Sequence, residues 1–457
     1  MERLNGWDRL TAAKQKAVEK LSEEYMQFLD RSKTERACAK EIVRQAKEAG
    51  FEDLDTLIKQ GEKLVPGQKV YALNKEKSVA LFVIGKNALE DGIDLVGSHI
   101  DSPRLDLKPN PLYEDGNMAF FKTHYYGGVK KYQWATIPLA LYGVVYDDKG
   151  KKVEISIGDN EDDPVFFIND LLIHLSADQM QLKASEVIKG EQLNVVVGSK
   201  PAKGEAKDRV KSSVLEILKK KYGLSERSFL TAEFEIVPSG KAREVGFDRS
   251  MIASYGHDDR VCAFASLKAI LEVKDPSTTA CAVFMDKEEV GSQGNTGMHS
   301  KFFEHCLSEL IDLQGEYCEL KLKRLFRNTR VLSADVNCCF DPNFSEATEK
   351  LNTARLGEGV VLTKYTGSRG KGGCNDANAE FLHDVATIFD KNKVLWQTGE
   401  LGKVDQGGGG TIAYILANYG AEVVDCGTGV LSMHAPYELI SKVDLYMTYQ
   451  AYYHFSK

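Results

Sequence analysis

The sequence lacks several features that would define its class at once. No stretch of the 457 residues approaches the roughly 20 consecutive apolar residues of a membrane-spanning helix. The first residues, MERLNGWDRLTAAKQKAVEKL, contain neither the apolar core nor the small-residue cleavage site of a signal peptide. The nine cysteines include no C-x-x-C pair, so a disulfide framework and a thiolate zinc site are both disfavoured. We therefore expect a cytoplasmic protein with no membrane partner and with reduced thiols at Cys338 and Cys339.

An excess of positive charge is also missing. The 59 Lys and Arg residues are outnumbered by 67 Asp and Glu residues, which gives a formal net charge of -8. A nucleic-acid-binding surface needs clustered basic side chains that displace counterions from phosphates. The composition therefore argues against a nucleic-acid partner.

The length of the chain and the change in its pattern of helices and strands predict two domains. A chain of 457 residues exceeds what one core usually organises. Residues 104–240 contain alternating strand patterns and one helix near Val210–Tyr222, typical of a mostly β domain. The flanking residues 1–103 and 241–457, which we call the outer domain, alternate between helices and strands. This predicts an α/β catalytic domain with a mainly parallel sheet flanked by helices, into which the β-rich oligomerisation or lid domain is inserted.

Short β-branched runs and helical periodicity predict the elements of the outer domain. A helix is expected from an N-cap at Ser32 to a stop at Gly50. The strands are expected at Val70–Leu73, Ala80–Ile84, Ile93–Val96, Ala280–Met285, Val331–Ala334, Val394–Gln397 and Glu422–Val424.

Five potential metal ligands stand at the ends of predicted strands or in adjoining loops. They are His99 in IDLVGSHID, Asp258 in YGHDDRV, Glu289 in FMDKEEVGS, Asp335 in VLSADVN and His434 in VLSMHAPYE. Taken singly, each has an ordinary alternative: a loop histidine, an acidic helix cap for the Asp258-Asp259 pair, or a solvated charge run. Together, two histidines and three carboxylates form a ligand set suited to zinc, manganese or cobalt.

Two neighbouring carboxylates fit supporting roles. Asp101 follows His99 by two residues on an extended chain, so both side chains point the same way and Asp101 can orient the imidazole. Glu288 and Glu289 are adjacent at the end of a core strand, where their repulsion suggests a compensating cation. One can then bind metal while the other transfers protons.

Two glycine-rich segments are candidates for substrate contact. The loop GSRGKGGCNDANAE places Arg369 and Lys371 before a helix N-terminus, where they could bind an acidic side chain; the alternative is a solvated flexible loop. QGGGGTIAYIL, which contains Gly408, lacks the Lys-Ser/Thr ending of a phosphate loop. It is expected to bring backbone amides close to a bound peptide.

The motifs GSHIDSPRLDLKPNP, HDDRV, DKEEVGS, SADVN and SMHAPYE, in this order, resemble the aspartyl aminopeptidase family within the clan of co-catalytic zinc exopeptidases. The resemblance implies that His99, Glu289, Asp335 and His434 complete two metal shells around a bridging Asp258. It also implies that Glu288 is the general base and that Asp101 orients His99.

The same resemblance implies a large homo-oligomer, a dodecamer, that admits peptides and excludes folded proteins. It nominates His174, in NDLLIHLSADQ, as an oxyanion donor supplied by a neighbouring subunit. The alternative for His174 is a buried core histidine on an apolar run.

We therefore expect an aminopeptidase with two divalent cations, zinc or else manganese or cobalt, that releases N-terminal residues from peptides. The reaction is attack by a metal-bridging water with Glu288 as base, and the preferred residues are Asp and Glu. The alternatives are a preference for neutral residues, a carboxypeptidase or deacylase on the same metal site, and a non-catalytic scaffold with the same fold.

Overall fold

The computed structural model describes residues 5–204 and 207–457. It divides the chain into two compact units. Unit 1 comprises the chain through Ser102 together with Ala242–Met433 and Glu438–Lys457. Unit 2 comprises Pro103–Lys241 and the short segment His434–Tyr437.

Helices and strands alternate along most of unit 1, whereas strands dominate unit 2. The helices are α1 Ala12–Arg31, α2 Glu35–Glu48, α3 Leu54–Gln60, α4 Arg209–Tyr222, α5 His257–Glu272, α6 Phe302–Gln314, α7 Glu319–Asn328, α8 Ala379–Lys391, α9 Ala413–Ala417 and α10 Lys442–Phe455. The strands are β1 Glu52–Asp53, β2 Lys69–Asn74, β3 Ser78–Val83, β4 Ile93–His99, β5 Arg104–Asp115, β6 Met118–Tyr126, β7 Leu139–Tyr146, β8 Lys152–Ile157, β9 Val195–Gly198, β10 Glu233–Pro238, β11 Arg243–Val245, β12 Met251–Ser254, β13 Thr279–Met285, β14 Arg330–Ser333, β15 Asn337–Cys338, β16 Val360–Thr363, β17 Trp396–Thr398, β18 Glu422–Gly427, β19 Gly429–Leu431 and β20 Glu438–Ser441.

A nine-stranded sheet in the order β1-β2-β3-β13-β4-β14-β18-β16-β17 forms the centre of unit 1. Its middle strands β13, β4, β14 and β18 are parallel, whereas β3 and β16 run antiparallel to their neighbours β13 and β18. The predicted α/β class with a mainly parallel sheet flanked by helices is confirmed. The parallel strands end at one edge, which is where α/β proteins place their ligands.

The sheet is buried on both faces. Along β13, Ala280, Ala282 and Phe284 belong to one core, and the alternating Cys281, Val283 and Met285 belong to the other. The first core is completed by α1, α2, α5, α8 and α10, and the second by α3, α6, α7 and α9. Burial of both faces explains why this strand reads as one continuous apolar run.

A second, five-stranded sheet of unit 1 has the order β11-β12-β20-β19-β15. In this sheet β12 pairs antiparallel with β20, and Ser254 lies opposite Glu438. The chain leaves β12 directly into the start of α5, so this sheet positions the segment that carries Asp258 and Asp259.

Unit 2 is built on an antiparallel six-stranded sheet in the order β8-β7-β10-β5-β6-β9. The helix expected near Val210–Tyr222 is present as α4. Between β8 and β9 the chain forms short 3-10 turns rather than longer helices or strands. The segment His434–Tyr437, which the sequence places within the outer domain, groups with this unit.

Two details of the outer domain differ from the sequence-based expectation. Thr34, not Ser32, caps α2, because its side chain accepts a hydrogen bond from the amide of Ala37 while Ser32 ends α1. The strand expected at Val394–Gln397 begins later, at Trp396, since the amide of Val394 is bonded to the carbonyl of Phe389 at the end of α8.

The nine cysteines are free thiols, with Cys339 buried and Cys338 partly buried. Within the described part of the chain, no helix combines the length and the apolar composition that crossing a membrane requires.

Candidate metal centre

The ends of three neighbouring strands bring ligand side chains to one edge of the large sheet. His99 is the last residue of β4 and lies opposite Met285, the last residue of β13. Beyond Met285, Lys287 has a positive φ of 69° and leads into a 3-10 turn that contains Glu288 and Glu289. Asp335 follows β14 by two residues.

A fourth group comes from the start of α5. Asp258 and Asp259 have non-helical backbone angles and are joined by a cis peptide bond. The carbonyl of Asp258 accepts a hydrogen bond from Ser102 Oγ at 2.7 Å, and its amide donates to Glu438 Oε2 at 3.0 Å. Both backbone polar groups of Asp258 are therefore held by side chains from other elements.

These side chains form a compact cluster. Three overlapping groups each bring their ligand atoms within 4.8 Å of one another: His99, Asp258 and Glu289; His99, Glu288 and Asp335; and Asp258, Asp259 and Asp335. His99 Nε2 lies 3.2 Å from Asp258 Oδ1 and 3.9 Å from Glu288 Oε2. Four of the five predicted metal ligands thus come together in unit 1, with the proposed base beside them.

Asp101 connects two sides of this cluster. The Nδ1–H of His99 lies 3.2 Å from Asp101 Oδ1 and 3.1 Å from the Asp101 carbonyl. The same carboxylate accepts hydrogen bonds from the amides of Glu288, at 3.1 Å, and Glu289, at 3.2 Å. Donation from Nδ1 selects the tautomer in which Nε2 has the lone pair that a metal requires.

The concentration of acidic groups perturbs their protonation. Burial, together with the nearby charge of Asp259, raises the pKa of Asp335 well above its usual range. Burial likewise raises the pKa of Asp259, and the charge of Asp258 adds to it. For His99, burial opposes a positive charge, but hydrogen bonding to Asp101 and Asp258 raises the pKa of the imidazole well above normal. The raised pKa values of Asp335 and Asp259 show that negative charge is unfavourable at this site, and a bound cation would compensate it.

The donor set fits a divalent metal. In the neutral His99 ring, whose Nδ1–H is donated to Asp101, the buried Nε2 is an acceptor, yet it faces two further acceptors: Asp258 Oδ1 at 3.2 Å and Glu288 Oε2 at 3.9 Å. Buried polar atoms are normally satisfied, so atoms of this kind beside several carboxylates are what a metal ion would satisfy. One imidazole and several carboxylates make a hard-to-borderline site that suits zinc, manganese or cobalt.

Asp259 is the member of the cluster that sequence reasoning missed. In the sequence the Asp258-Asp259 pair is typical of a helix cap, whereas in the structure Asp259 Oδ2 accepts a hydrogen bond from the amide of His99 at 3.3 Å. Asp259 therefore connects the start of α5 to the end of β4. The only sequence signal was the doublet itself, which is common at helix N-termini.

The two remaining candidate histidines lie in unit 2. His434 has a positive φ of 65°, and its Nδ1–H donates to the carbonyl of Gly128 at 2.9 Å. His174 lies in a 3-10 turn, Ile173–Leu175, and is exposed. The alternative of a buried core histidine at position 174 is therefore wrong.

Arg369, Lys371 and Gly408 belong to two loops of unit 1 that pack against each other. Lys371 Nζ is 2.9 Å from Asp376 Oδ2 and 3.8 Å from the ring centre of Tyr365, while Arg369 is exposed. Gly408 has a φ of 124°, and a Cβ there would lie 2.2 Å from the Gly367 carbonyl oxygen. Gly408 is thus required by close backbone packing between the loops.

The family model described as aminopeptidase I zinc metalloprotease (M18) matches residues 28–456. The chain belongs to the M18 family. This confirms the family expected from the five sequence motifs, and the match includes every predicted site residue from His99 to His434.

Individual M18 relatives match over almost their whole length. The probable M18 family aminopeptidase 1 of Clostridium acetobutylicum is 51% identical over 449 residues, which covers 98% of this chain and 97% of the relative. The crystal structure of an M18 aminopeptidase from Thermotoga maritima covers 100% of this chain and 99% of its own, with a TM-score of 0.95 and 45% identity. The crystal structure of aminopeptidase I from Clostridium acetobutylicum gives a TM-score of 0.94 at 48% identity, with 100% of this chain and 99% of its own covered. As a member of M18, the chain is a zinc metalloaminopeptidase.

The crowded carboxylates of this M18 enzyme predict a large effect of metal on stability. We expect removal of metal with a chelator to lower the melting temperature, because the acidic groups then repel without a cation. Zinc at a thousandfold excess over its Kd stabilises a folded protein by about 4 kcal/mol. In Asp335→Asn, the metal-free protein should melt higher than metal-free wild type, and added zinc should raise its melting temperature much less.

Melting curves with chelator and with zinc test this. Glu316→Gln, which removes an exposed acidic group on the turn before α7, is the control and should respond to zinc as wild type does. An Asp335→Asn protein that gains as much from zinc as wild type would contradict the placement of Asp335 in the metal centre.

Proposed function

We propose that this M18 enzyme is a dinuclear aminopeptidase that releases acidic N-terminal residues from peptides, with Glu288 as its general base. The observation that carries the proposal is the cluster of His99, Asp258, Glu289 and Asp335, with Glu288 beside it. Two cations bound to this set would polarise the peptide carbonyl and anchor the substrate's α-amine.

The position of Asp258 supports a bridging role. It belongs to one group with His99 and Glu289 and to another with Asp259 and Asp335. A carboxylate shared by two ligand groups can offer one oxygen to each side. His434 is proposed as a further metal ligand on the basis of the SMHAPYE motif. Its Nδ1–H donates to the carbonyl of Gly128, and metal-binding histidines commonly make such a hydrogen bond with the ring nitrogen that does not bind metal.

The surroundings of Glu288 support its role as base. Its side chain is 16% exposed, so it is reachable from solvent yet close to the cluster. Its backbone amide is held by Asp101, which limits how the side chain can be directed. Glu288 takes a proton from the attacking water and delivers it to the leaving amine, a role that needs hydrogen-bond reach without tight metal binding.

The environment of His174 supports a role across a subunit interface. The side chains around it are strongly exposed, with Leu172 at 54%, Ile173 at 71% and Leu175 at 67%. Contiguous exposed apolar side chains mark surfaces that partners cover. We propose that this segment packs against another copy of the chain in a homo-oligomer, a dodecamer by family resemblance, and that His174 there donates to the developing oxyanion.

The preference for acidic residues is assigned to the loop that carries Arg369 and Lys371. Lys371 is already paired with Asp376, which also pairs with Lys364. Part of its charge is therefore compensated inside the loop. Arg369 is the better candidate to bind a substrate carboxylate, because its guanidinium can donate two parallel hydrogen bonds to it.

Glu288→Gln tests the base. We expect the variant to keep wild-type metal content and to lose about 10²- to 10⁴-fold in kcat, the usual contribution of a general base. Metal analysis together with hydrolysis of amino-acid p-nitroanilides measures both quantities. Glu289→Gln is the companion variant and should lose metal as well as activity; a metal-replete Glu288→Gln enzyme with normal kcat would sink the assignment.

His174→Ala tests the contribution across the interface. Assembly should persist, because the neighbouring apolar side chains remain, while kcat falls by about 10²- to 10³-fold as for other oxyanion donors. Light scattering and steady-state kinetics on the same sample separate the two effects. His305→Ala, at an exposed position on α6, serves as the control. Unchanged kcat in an intact His174→Ala assembly would contradict the role.

Arg369→Ala tests the acidic preference. We expect kcat/KM for Asp- and Glu-p-nitroanilide to fall about 10- to 100-fold, since hydrogen bonds to charged groups are worth about 1.5–3 kcal/mol. Leu-p-nitroanilide should be hydrolysed as by wild type, and Arg327→Ala on α7 is the matched control. A wild-type preference for neutral residues would refute the acidic assignment, and cleavage of N-terminally blocked peptides would favour a carboxypeptidase.

A further inference from the structure

The N-terminal helix α1 reaches the segment that carries the proposed bridging ligand. The Tyr25 hydroxyl lies 2.7 Å from Nδ1 of His257, and Nε2 of the same ring lies 3.0 Å from the carbonyl oxygen of Ile252. Tyr25 and His257 are both fully buried. His257 is the residue immediately before Asp258.

The direction of these hydrogen bonds follows from chemistry. A carbonyl oxygen only accepts, so Nε2 of His257 carries the hydrogen that is donated to Ile252. In the neutral ring Nδ1 is then an acceptor, and the Tyr25 hydroxyl donates to it. Both ring nitrogens are therefore engaged, and the imidazole cannot turn without breaking one bond or the other.

Aromatic packing holds the ring of Tyr25, the hydrogen-bond donor, in place. The ring of Tyr25 lies 5.1 Å from the ring of Phe264 on α5, and Phe28, one turn further along α1, lies 5.3 Å from the same ring. The hydroxyl of Tyr25 is thus held over the first turn of α5. Tyr25 lies outside residues 28–456, the range that the family model matches.

Asp258 is held from three directions. Glu438 binds its amide, Ser102 binds its carbonyl, and the preceding residue is anchored through its ring by Tyr25. We propose that Tyr25 is a positioning residue of the metal centre, which orients Asp258 through His257 and so makes α1 part of the site. This inference rests on the proposed function, because it assumes that Asp258 binds metal.

Tyr25→Phe removes the hydroxyl and keeps the aromatic packing. We expect zinc affinity, measured by competition with a chelator, to weaken about tenfold, the lower end of the loss seen when residues supporting a metal ligand are changed. The absorption spectrum of the cobalt-substituted protein should change as the coordination of Asp258 relaxes. Activity lost at limiting metal should return when zinc is added in excess.

Tyr449→Phe is the matched control. The Tyr449 hydroxyl donates to Glu272 Oε2 at 2.6 Å, at the opposite end of α5. Both variants lose one tyrosine hydrogen bond to an α5 residue, and we expect a comparable loss of stability in the metal-free proteins. Zinc affinity and the cobalt spectrum should change only in Tyr25→Phe.

The outcomes are distinguishable. Wild-type zinc affinity and an unchanged cobalt spectrum in Tyr25→Phe would overturn the inference and leave the proposed function intact. Equal losses of affinity in both variants would also overturn it, since they would reflect general loosening of α5. A wild-type protein that binds no divalent metal would instead refute the proposed function itself.

Discussion

The carboxylate of Asp101 is the constraint on which the candidate site depends. It orients the imidazole of His99 and accepts the amides of Glu288 and Glu289, so it joins the ends of β4 and β13. Those two strands could end side by side and still leave the histidine in the wrong tautomer and the glutamates directed at solvent. The fully buried side chain of Asp101 fixes both the tautomer of His99 and the backbone of the two glutamates without a bound metal.

This arrangement concentrates negative charge where solvent cannot screen it. Asp286, next to the cluster, has a pKa raised to about 6 by burial and by the charges of Glu35 and Asp101. Burying these charges costs free energy of folding. The apolar side chains buried on both faces of the central sheet offset that cost, and the charged edge cannot relax without exposing them. The fold and the chemistry are therefore connected through electrostatic strain that a cation relieves.

The sequence predicts what is local and periodic. His99 and Asp335 could be placed because each follows a β-branched run, and parallel strands end at a common edge. Contacts between distant segments could not be read in this way. The hydrogen bond between Tyr25 and His257 spans 232 positions, and that between His434 and Gly128 spans 306. Asp259 was missed for another reason: an acidic doublet before a helix has the same appearance whether it caps the helix or serves a metal.

The exposed segment around His174 connects oligomer assembly with catalysis on the proposed function. Ile173 and Leu175 flank the histidine and leave most of their apolar surface in water in a single chain. Covering them with another subunit is favourable by roughly 25 cal/mol for each Å² of apolar surface removed from water. On the proposed function, the contact that provides this free energy also fixes the histidine over a neighbouring site. A subunit released from the assembly would then lose an oxyanion donor and with it about 10²- to 10³-fold in kcat, so assembly and full activity would be coupled.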